Sequence, residues 1–307
     1  SGARYLADRA GAELVLSGYD KGEKYEACFP HNQCFDGSIF KLGQVTLKVL
    51  HTPGHAPEHL SFLAFVQEKP KALFSGDFIL VDSVGRPDLI DEEKKEALAK
   101  KLYHSIHHKL KDLPDTLEIY PAHGPGSFCG GSIGNQPSST LGQERLTNPF
   151  LSLALTEKEF VHLVLSKSPY LPSYFFRLKA FNSRGEKEQI RTPCPINPLE
   201  FKKQADKGAV VIDLRDQIAF SRGHIPKAIC IGAGEKLGFW ASSVVPYNCP
   251  ILLVAPDPLQ VEEAIHSLAR VGLFSVEGYL EGGMEAWDKN GLLLSKAFEV
   301  SPEDLHK

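Results

Sequence analysis

The apolar positions of this chain switch between two spacings, and the switching predicts a protein of mixed α and β structure. Val45 to Leu50 alternates as a strand does, with Val45, Leu47 and Val49 on one face. Leu60 to Val66 and Ala72 to Phe74 are apolar runs bounded by turn residues, and Leu117 to Tyr120 is a further strand that stops at Pro121. Tyr5 to Ala10 reads as a helix leading into the strand-like Glu13-Leu14-Val15-Leu16. Over Asp91 to Leu110 the period lengthens. Leu98, Leu102, Ile106 and Leu110 recur every four residues, and Asp91, Glu92 and Glu93 sit at the start, where the helix dipole favours acids. The Gly- and Ser-rich stretch Gly124 to Gly142 predicts a long ordered loop, a kind that is usually functional. Short helices are predicted over Glu157–Ser166 and Ser173–Phe181.

Arg191-Thr192-Pro193-Cys194-Pro195-Ile196-Asn197-Pro198 then marks a boundary, because closely spaced prolines favour extended backbone. Beyond it the rhythm is βα: strands Val210–Asp213 and Ile251–Val254, and an amphipathic helix Leu259–Val271 with Val261, Ile265 and Leu268 on one face and Gly272 as its stop signal. Strands alternating with helices imply a parallel sheet covered by helices.

Composition changes this picture little. The 307 residues suit two domains. A formal charge of −4 gives no electrostatic reason to expect nucleic acid or an anionic membrane. No apolar run approaches the roughly 18 residues of a membrane span, and Ser1-Gly2-Ala3-Arg4-Tyr5-Leu6 lacks the segments of a signal peptide. The six cysteines (Cys28, Cys34, Cys129, Cys194, Cys230 and Cys249) are too sparse for a disulfide framework, so reduced thiols in the cytoplasm are expected. Met284 is the only methionine, which leaves processing, trimming and a fragment all open.

The chemistry lies at strand ends. His55 in Thr52-Pro53-Gly54-His55, Asp77 in Ser75-Gly76-Asp77 and His123 in Tyr120-Pro121-Ala122-His123 each follow an apolar β-type run. His55 and Asp77 supply two-thirds of a 2-His-1-carboxylate site, which suits iron(II) and oxygen chemistry. His123 is either a second-metal ligand or a residue that only supports the site. Arg86, in Gly85-Arg86-Pro87-Asp88, is a candidate for an anionic substrate group, and with Asp82 this turn is expected to form a pocket wall. Cys129 in the Gly-rich loop either faces a sulfur-bearing substrate or is inert. His104, His107 and His108 are read as a solvated helix face.

These motifs resemble the metallo-β-lactamase fold, and more narrowly its persulfide (sulfur) dioxygenase branch fused to rhodanese domains. The resemblance covers residues 1 to about 190. It implies an αββα sandwich and a mononuclear iron(II) held by two His and one Asp, His55 and Asp77 matching the second and third ligands. The first belongs to a His-x-His-x-Asp segment just before the family's Ser-Gly-Ala-Arg, here residues 1–4, so the first metal motif and N-terminal strands are expected to precede this chain. Alone, the chain is expected to bind iron weakly or not at all.

The second region resembles a rhodanese-like domain through Asp213-Leu214-Arg215, Phe220-Ser221-Arg222-Gly223-His224-Ile225-Pro226 and Glu281-Gly282-Gly283-Met284-Glu285-Ala286-Trp287. Where an active rhodanese carries its persulfide-forming cysteine this chain has Ala255, followed by Pro256-Asp257-Pro258, and prolines remove N–H donors from the cradle. Cys249 lies before the strand rather than after it. The expected division is a metallo-β-lactamase-like domain over 1–190, a linker over 191–197, a Cys-less rhodanese-like domain over 198–293, and over 294–307 the lead-in to another rhodanese domain.

The function implied is oxidation of a low-molecular-weight thiol persulfide by oxygen to sulfite and thiol, with the second domain a spacer or docking module. A zinc-dependent thioester hydrolase of the same fold, or a non-catalytic remnant or regulatory module, are the alternatives. A homo-oligomer is compatible with the sequence.

Overall fold

A computed structural model describes residues 2–168, 170–186, 190 and 192–297. Clustering of backbone contacts divides the chain into one unit of residues 1–171 and 179–186 and a second of 172–178 and 187–307.

The first unit runs α1 (Gly2–Ala10), β1 (Val15–Ser17), β2 (Asn32–Cys34), β3 (Ile39–Leu42), β4 (Val45–His51), β5 (Leu60–Val66), β6 (Lys69–Gly76), β7 (Ile79–Leu80), β8 (Ser83–Val84), α2 (Lys95–Lys109), β9 (Glu118–Pro121), β10 (Ser139–Thr140), α3 (Leu141–Thr147) and α4 (Glu157–Ser166). Helix α5 (Tyr174–Ser183) crosses the division. The main sheet has the order β10-β9-β6-β5-β4-β3. Strands β3 to β6 pair antiparallel, and β9 returns parallel to β6 after α2. Leu50, Leu63, Leu73 and Ile119 line one face of this sheet and pack with Ala99, Leu102 and Ile106 of α2 and Phe160 and Val164 of α4. The side-chain period of two gives each strand this inward row, and the four-residue spacing gives α2 its matching stripe. A separate parallel pair, β1–β2, and the short antiparallel pair β7–β8 complete the unit.

Three local expectations shift. Helix α2 starts at Lys95 rather than Asp91. The Asp91 carboxylate accepts from the Glu93 N–H and the Asp91 carbonyl from the Lys94 N–H, so these residues form a turn ahead of the helix. The expected loop ends early, because β10 and α3 begin inside it. The first domain also stops short of residue 190 as a continuous block. Tyr174 packs into the core of the second unit, and the Arg177 guanidinium lies 4.3 Å from the Tyr247 ring centroid, which draws the first half of α5 into that unit.

The second unit adds β11 (Pro195–Ile196), α6 (Pro198–Asp206), β12 (Val210–Asp213), α7 (Gln217–Arg222), β13 (Ile229–Cys230), α8 (Leu237–Val244), β14 (Ile251–Val254), α9 (Pro258–Ala269), β15 (Val276–Leu280) and α10 (Gly283–Lys289). Its sheet is wholly parallel, in the order β11-β15-β14-β12-β13. One side packs Val261, Ile265 and Leu268 against Ile212 and Leu253, and the other packs Phe201 and Trp287 against Val211, Leu252 and Val254. Burial on both sides is why β14 reads as an unbroken apolar run. No helix among the described residues is long and apolar enough to cross a membrane. The suggested lead-in Phe298–Leu305 lies outside the described residues.

Candidate metal centre

Three strand ends deliver the three predicted residues to one place. After β4, the turn Thr52-Pro53-Gly54 is clamped to α2. The Ser105 hydroxyl donates to the Pro53 carbonyl at 2.8 Å, and a Cβ on Gly54 would lie 2.5 Å from that of Leu102. His55 emerges from this turn 7% exposed. Asp77 follows β6 and His123 follows β9. Because these strands are parallel neighbours, with Gly76 in register with Pro121, both chains leave the sheet at the same edge, and the Ala122 N–H donates to the Gly76 carbonyl at 3.0 Å.

The Asp77 carboxylate is shared between the imidazoles. Nε2 of His55 lies 3.6 Å from Oδ2, and Nε2 of His123 lies 3.4 Å from Oδ1. Donors held about 2.1 Å from one ion at tetrahedral angles stand about 3.4 Å apart, so this spacing suits ligands around a cation. The Cys129 thiol joins the Asp77 and His123 side, where one ligand atom from each of the three residues lies within 4.8 Å of the others. Oδ1 of Asp77 is buried without a hydrogen-bond partner, a cost that a bound cation would remove. Burial, helped by the Lys179 charge, holds the His55 pKa well below its ordinary value and so keeps the neutral, ligating imidazole. Burial raises the Asp77 pKa, against the lowering pull of His123 and Lys179. The donor set therefore fits a metal ion.

A crystal structure of a metallo-β-lactamase from Staphylococcus aureus subsp. aureus COL is similar to this chain at a TM-score of 0.78 and 33% identity, over 91% of this chain and 80% of that one. The chain belongs to the metallo-β-lactamase family. The profile of the Rhodanese-like domain matches residues 197–290, so the family fold is here fused to a rhodanese-like domain. The human mitochondrial persulfide dioxygenase ETHE1 is 34% identical over 129 residues, 42% of this chain and 44% of that protein. The hydroxyacylglutathione hydrolase GloC of Haemophilus influenzae is 32% identical over 117 residues, 38% of this chain and 46% of that protein. The chain thus spans less than half the length of either curated relative.

Within the metallo-β-lactamase unit the two predicted substrate contacts are placed differently. Arg86 is 3% exposed, and its Nε and Nη2 donate to both oxygens of Asp88 at 2.7 and 2.6 Å while Nη1 donates to the Phe128 carbonyl at 3.2 Å. With its Arg86 N–H bonded to the Cys129 carbonyl at 2.8 Å, this residue ties the 120s loop to the Gly85 turn, and its fork is occupied by protein. Asp82 lies at φ 56°, and its N–H and carboxylate bond Glu144 and Thr147, so it braces α3. Cys129 does reach the site. Burial, then the Asp77 charge, raises its pKa and favours the thiol. His104 pairs with Glu157 at 2.8 Å and stacks on His108 with 5.9 Å between centroids, an exposed helix face as expected, but His107 departs from it: its ring centroid lies 4.1 Å from that of Tyr103 and its Nε2 is buried.

Two residues that the sequence did not single out, Lys179 and His59, also act on the centre, and a third, Glu58, acts on Lys179. Lys179 of α5 carries a charge felt by His55, Asp77, Glu58 and Cys129. Burial lowers its pKa, while Glu58, Cys129 and Asp77 raise it. Burial raises the pKa of Glu58. His59 contacts Asp77 directly. Only the closeness of Glu58 and His59 to His55 in the chain could have suggested them. Nothing local marks Lys179.

In the rhodanese-like unit the signature residues are structural. Arg215 donates to both Asp213 oxygens and to the Gly223 carbonyl, and Phe220 stacks on His224 with 3.8 Å between centroids. After β14, Asp257 caps α9 by accepting from the Leu259 N–H, and Pro258 opens the helix. The Cys249 thiol, ahead of β14, donates to the Pro246 carbonyl at 2.9 Å.

Proposed function

We propose that this chain carries the metal-binding part of a persulfide dioxygenase, in which RSSH, O2 and H2O give RSH, SO3²⁻ and 2 H⁺. The observation that carries this reading is the Cys129 thiol and the Lys179 ammonium beside His55 and Asp77, with His123 on the open side of the carboxylate. Similarity to a persulfide dioxygenase supports it. An iron(II) ion held by His55 and Asp77, with open positions, would supply oxygen activation and bind a soft sulfur donor. The chain's own groups do the rest. Lys179 offers a positive charge to an anionic sulfur, and Cys129 presents a polarisable thiol surface to it. The buried His55 side keeps water from that part of the site. In the rhodanese-like domain, Ala255 at the position of the persulfide-forming cysteine supports a spacer or docking role.

One observation favours a second reading. Each Asp77 oxygen faces a different imidazole, the arrangement of a carboxylate shared between two metals, and hydroxyacylglutathione hydrolases are among the relatives. A zinc-type thioester hydrolase would use it. The deciding experiment first measures iron uptake, which the sequence alone predicts to be weak and the donor set of His55, Asp77 and His123 favours, and then adds glutathione persulfide in an oxygen electrode. The expected result is one sulfite per oxygen consumed. Thioester hydrolysis without oxygen uptake would overturn the first reading in favour of the second, and neither activity would leave a non-catalytic module.

A further inference from the structure

His59 contacts Asp77 through the backbone rather than through the carboxylate. The Asp77 N–H donates to Nε2 of His59 at 3.0 Å. An N–H can only donate, so Nε2 is the acceptor and the proton of the neutral ring sits on Nδ1. Nδ1–H then donates to the Thr52 hydroxyl at 2.9 Å. The Thr52 hydroxyl, 2.9 Å from that of Ser61, has only that oxygen left to donate to, because the Ser61 hydroxyl donates to the Ser75 carbonyl at 3.2 Å. Every donor in this relay points the same way, and it closes on itself. It starts at the N–H of Asp77 and ends at the carbonyl of Ser75, so it grips the backbone on both sides of Gly76. Thr52, Ser61 and Ser75 are fully buried, so the Thr52–Ser61 and Ser61–Ser75 bonds are made without competition from water.

Gly76 fits this clamp in two ways. Its φ of 58° is the left-handed conformation that glycine tolerates, and a Cβ there would lie 2.7 Å from Nε2 of His59.

We propose that His59 is a positioning residue for Asp77: its ring ties the Asp77 peptide to Thr52 and thereby aims the carboxylate between His55 and His123. This rests on the metal-centre reading above and adds a residue to it that touches neither metal nor substrate. Outer partners of ligands typically change metal affinity 10- to 100-fold when removed.

Two variants separate positioning from bulk. His59→Leu fills the space but removes the acceptor. His59→Gln puts an amide oxygen near the Nε2 position and keeps the bond from Asp77. The probe is cobalt(II), titrated to millimolar concentration by visible absorption, with hydrogen exchange of the Asp77 amide as a second readout. The expected result is a loss of at least about tenfold in cobalt affinity for His59→Leu, with His59→Gln within about threefold of the parent. The Asp77 amide should exchange at least about tenfold faster in the Leu variant only. If both folded variants bind and exchange alike, the proposal is overturned. If the parent itself takes up no cobalt, the metal reading of this chain fails separately, and amide exchange alone decides the role of His59 by the same criterion.

Discussion

Gly85 offers a direct test of how tightly Asp77 is held. It closes a bridge to Gly130, and its φ is not positive, so a side chain there strains nothing by conformation alone. Its effect would be contact. A Cβ at Gly85 would lie 1.9 Å from the Asp77 carbonyl oxygen and 3.0 Å from Nδ1 of His55. Relieving the first contact from 1.9 to 3.0 Å means moving backbone by at least about 1.1 Å, and the next residue, Phe78, is fully buried. Metal sites tolerate about 0.2 Å in ligand distance, so a shift five times larger should disrupt coordination while leaving the sheet intact. Gly85→Ala is therefore expected to weaken cobalt or zinc binding by about 10- to 100-fold, about 1.4–2.7 kcal/mol. Isothermal titration measures it, and urea unfolding checks that the unit remains folded. Gly43→Ala is the control: its φ of 61° carries a conformational cost of about 1–2 kcal/mol, but nothing lies within 4 Å of the new Cβ. A folded Gly85→Ala protein that binds metal as the parent does would refute this account of the site.

Three further outcomes follow from the same geometry. Stability should fall on acidification because of His59: its folded pKa of about 4 lies below the ordinary 6.5, so its contribution is complete above pH 6.5 and is lost as pH falls toward 4, at about 1.4 kcal/mol per pH unit. Asp77 and Glu58, both raised by burial, act with the opposite sign, their contribution being lost as pH rises through their folded pKa values. The measurement is thus the difference between parent and His59→Gln from pH 7 to 5, and parallel unfolding curves would refute the assignment. Leu102→Ala, at a fully buried position against the His55 turn, should cost about 2–5 kcal/mol in urea unfolding of the first unit. Ala255→Cys should not confer thiosulfate sulfurtransferase activity, because Pro256 and Pro258 supply no N–H to a persulfide cradle; cyanide-coupled turnover by this variant would show otherwise.

Much of this architecture is legible in short windows of sequence. The boundaries of β5, α4, β12 and β14 coincide with their apolar runs, because each run is bracketed by residues with strong local preferences, such as the Thr156 capping box on α4. The places of His55, Asp77 and His123 are legible for the same reason, each lying just past a strand. What is not legible is what the chain brings back from elsewhere. Arg86 looks like a free cation in a turn, but Asp88, two residues on, takes its fork. Lys179 lies on a helix with no sequence mark at all, yet its charge reaches Asp77. β2, β7, β8, β10, β11 and β13 are two or three residues long, too short for any period to show.

The two sides of Asp77 differ in a way that bears on chemistry. His55 is 7% exposed and walled by the turn that α2 clamps, whereas the His123 side chain is 40% exposed and shares its side of the carboxylate with Cys129. A desolvated imidazole on one side and an open, thiol-bearing side on the other give the centre a direction: ligation from within, access from without. On the one-ion reading His123 and Cys129 face the substrate. On the two-ion reading the same open side holds the second metal, with His123 and a Cys129 thiol that would give up its proton on coordination. Oxygen uptake with glutathione persulfide against thioester hydrolysis separates these two uses of the open side.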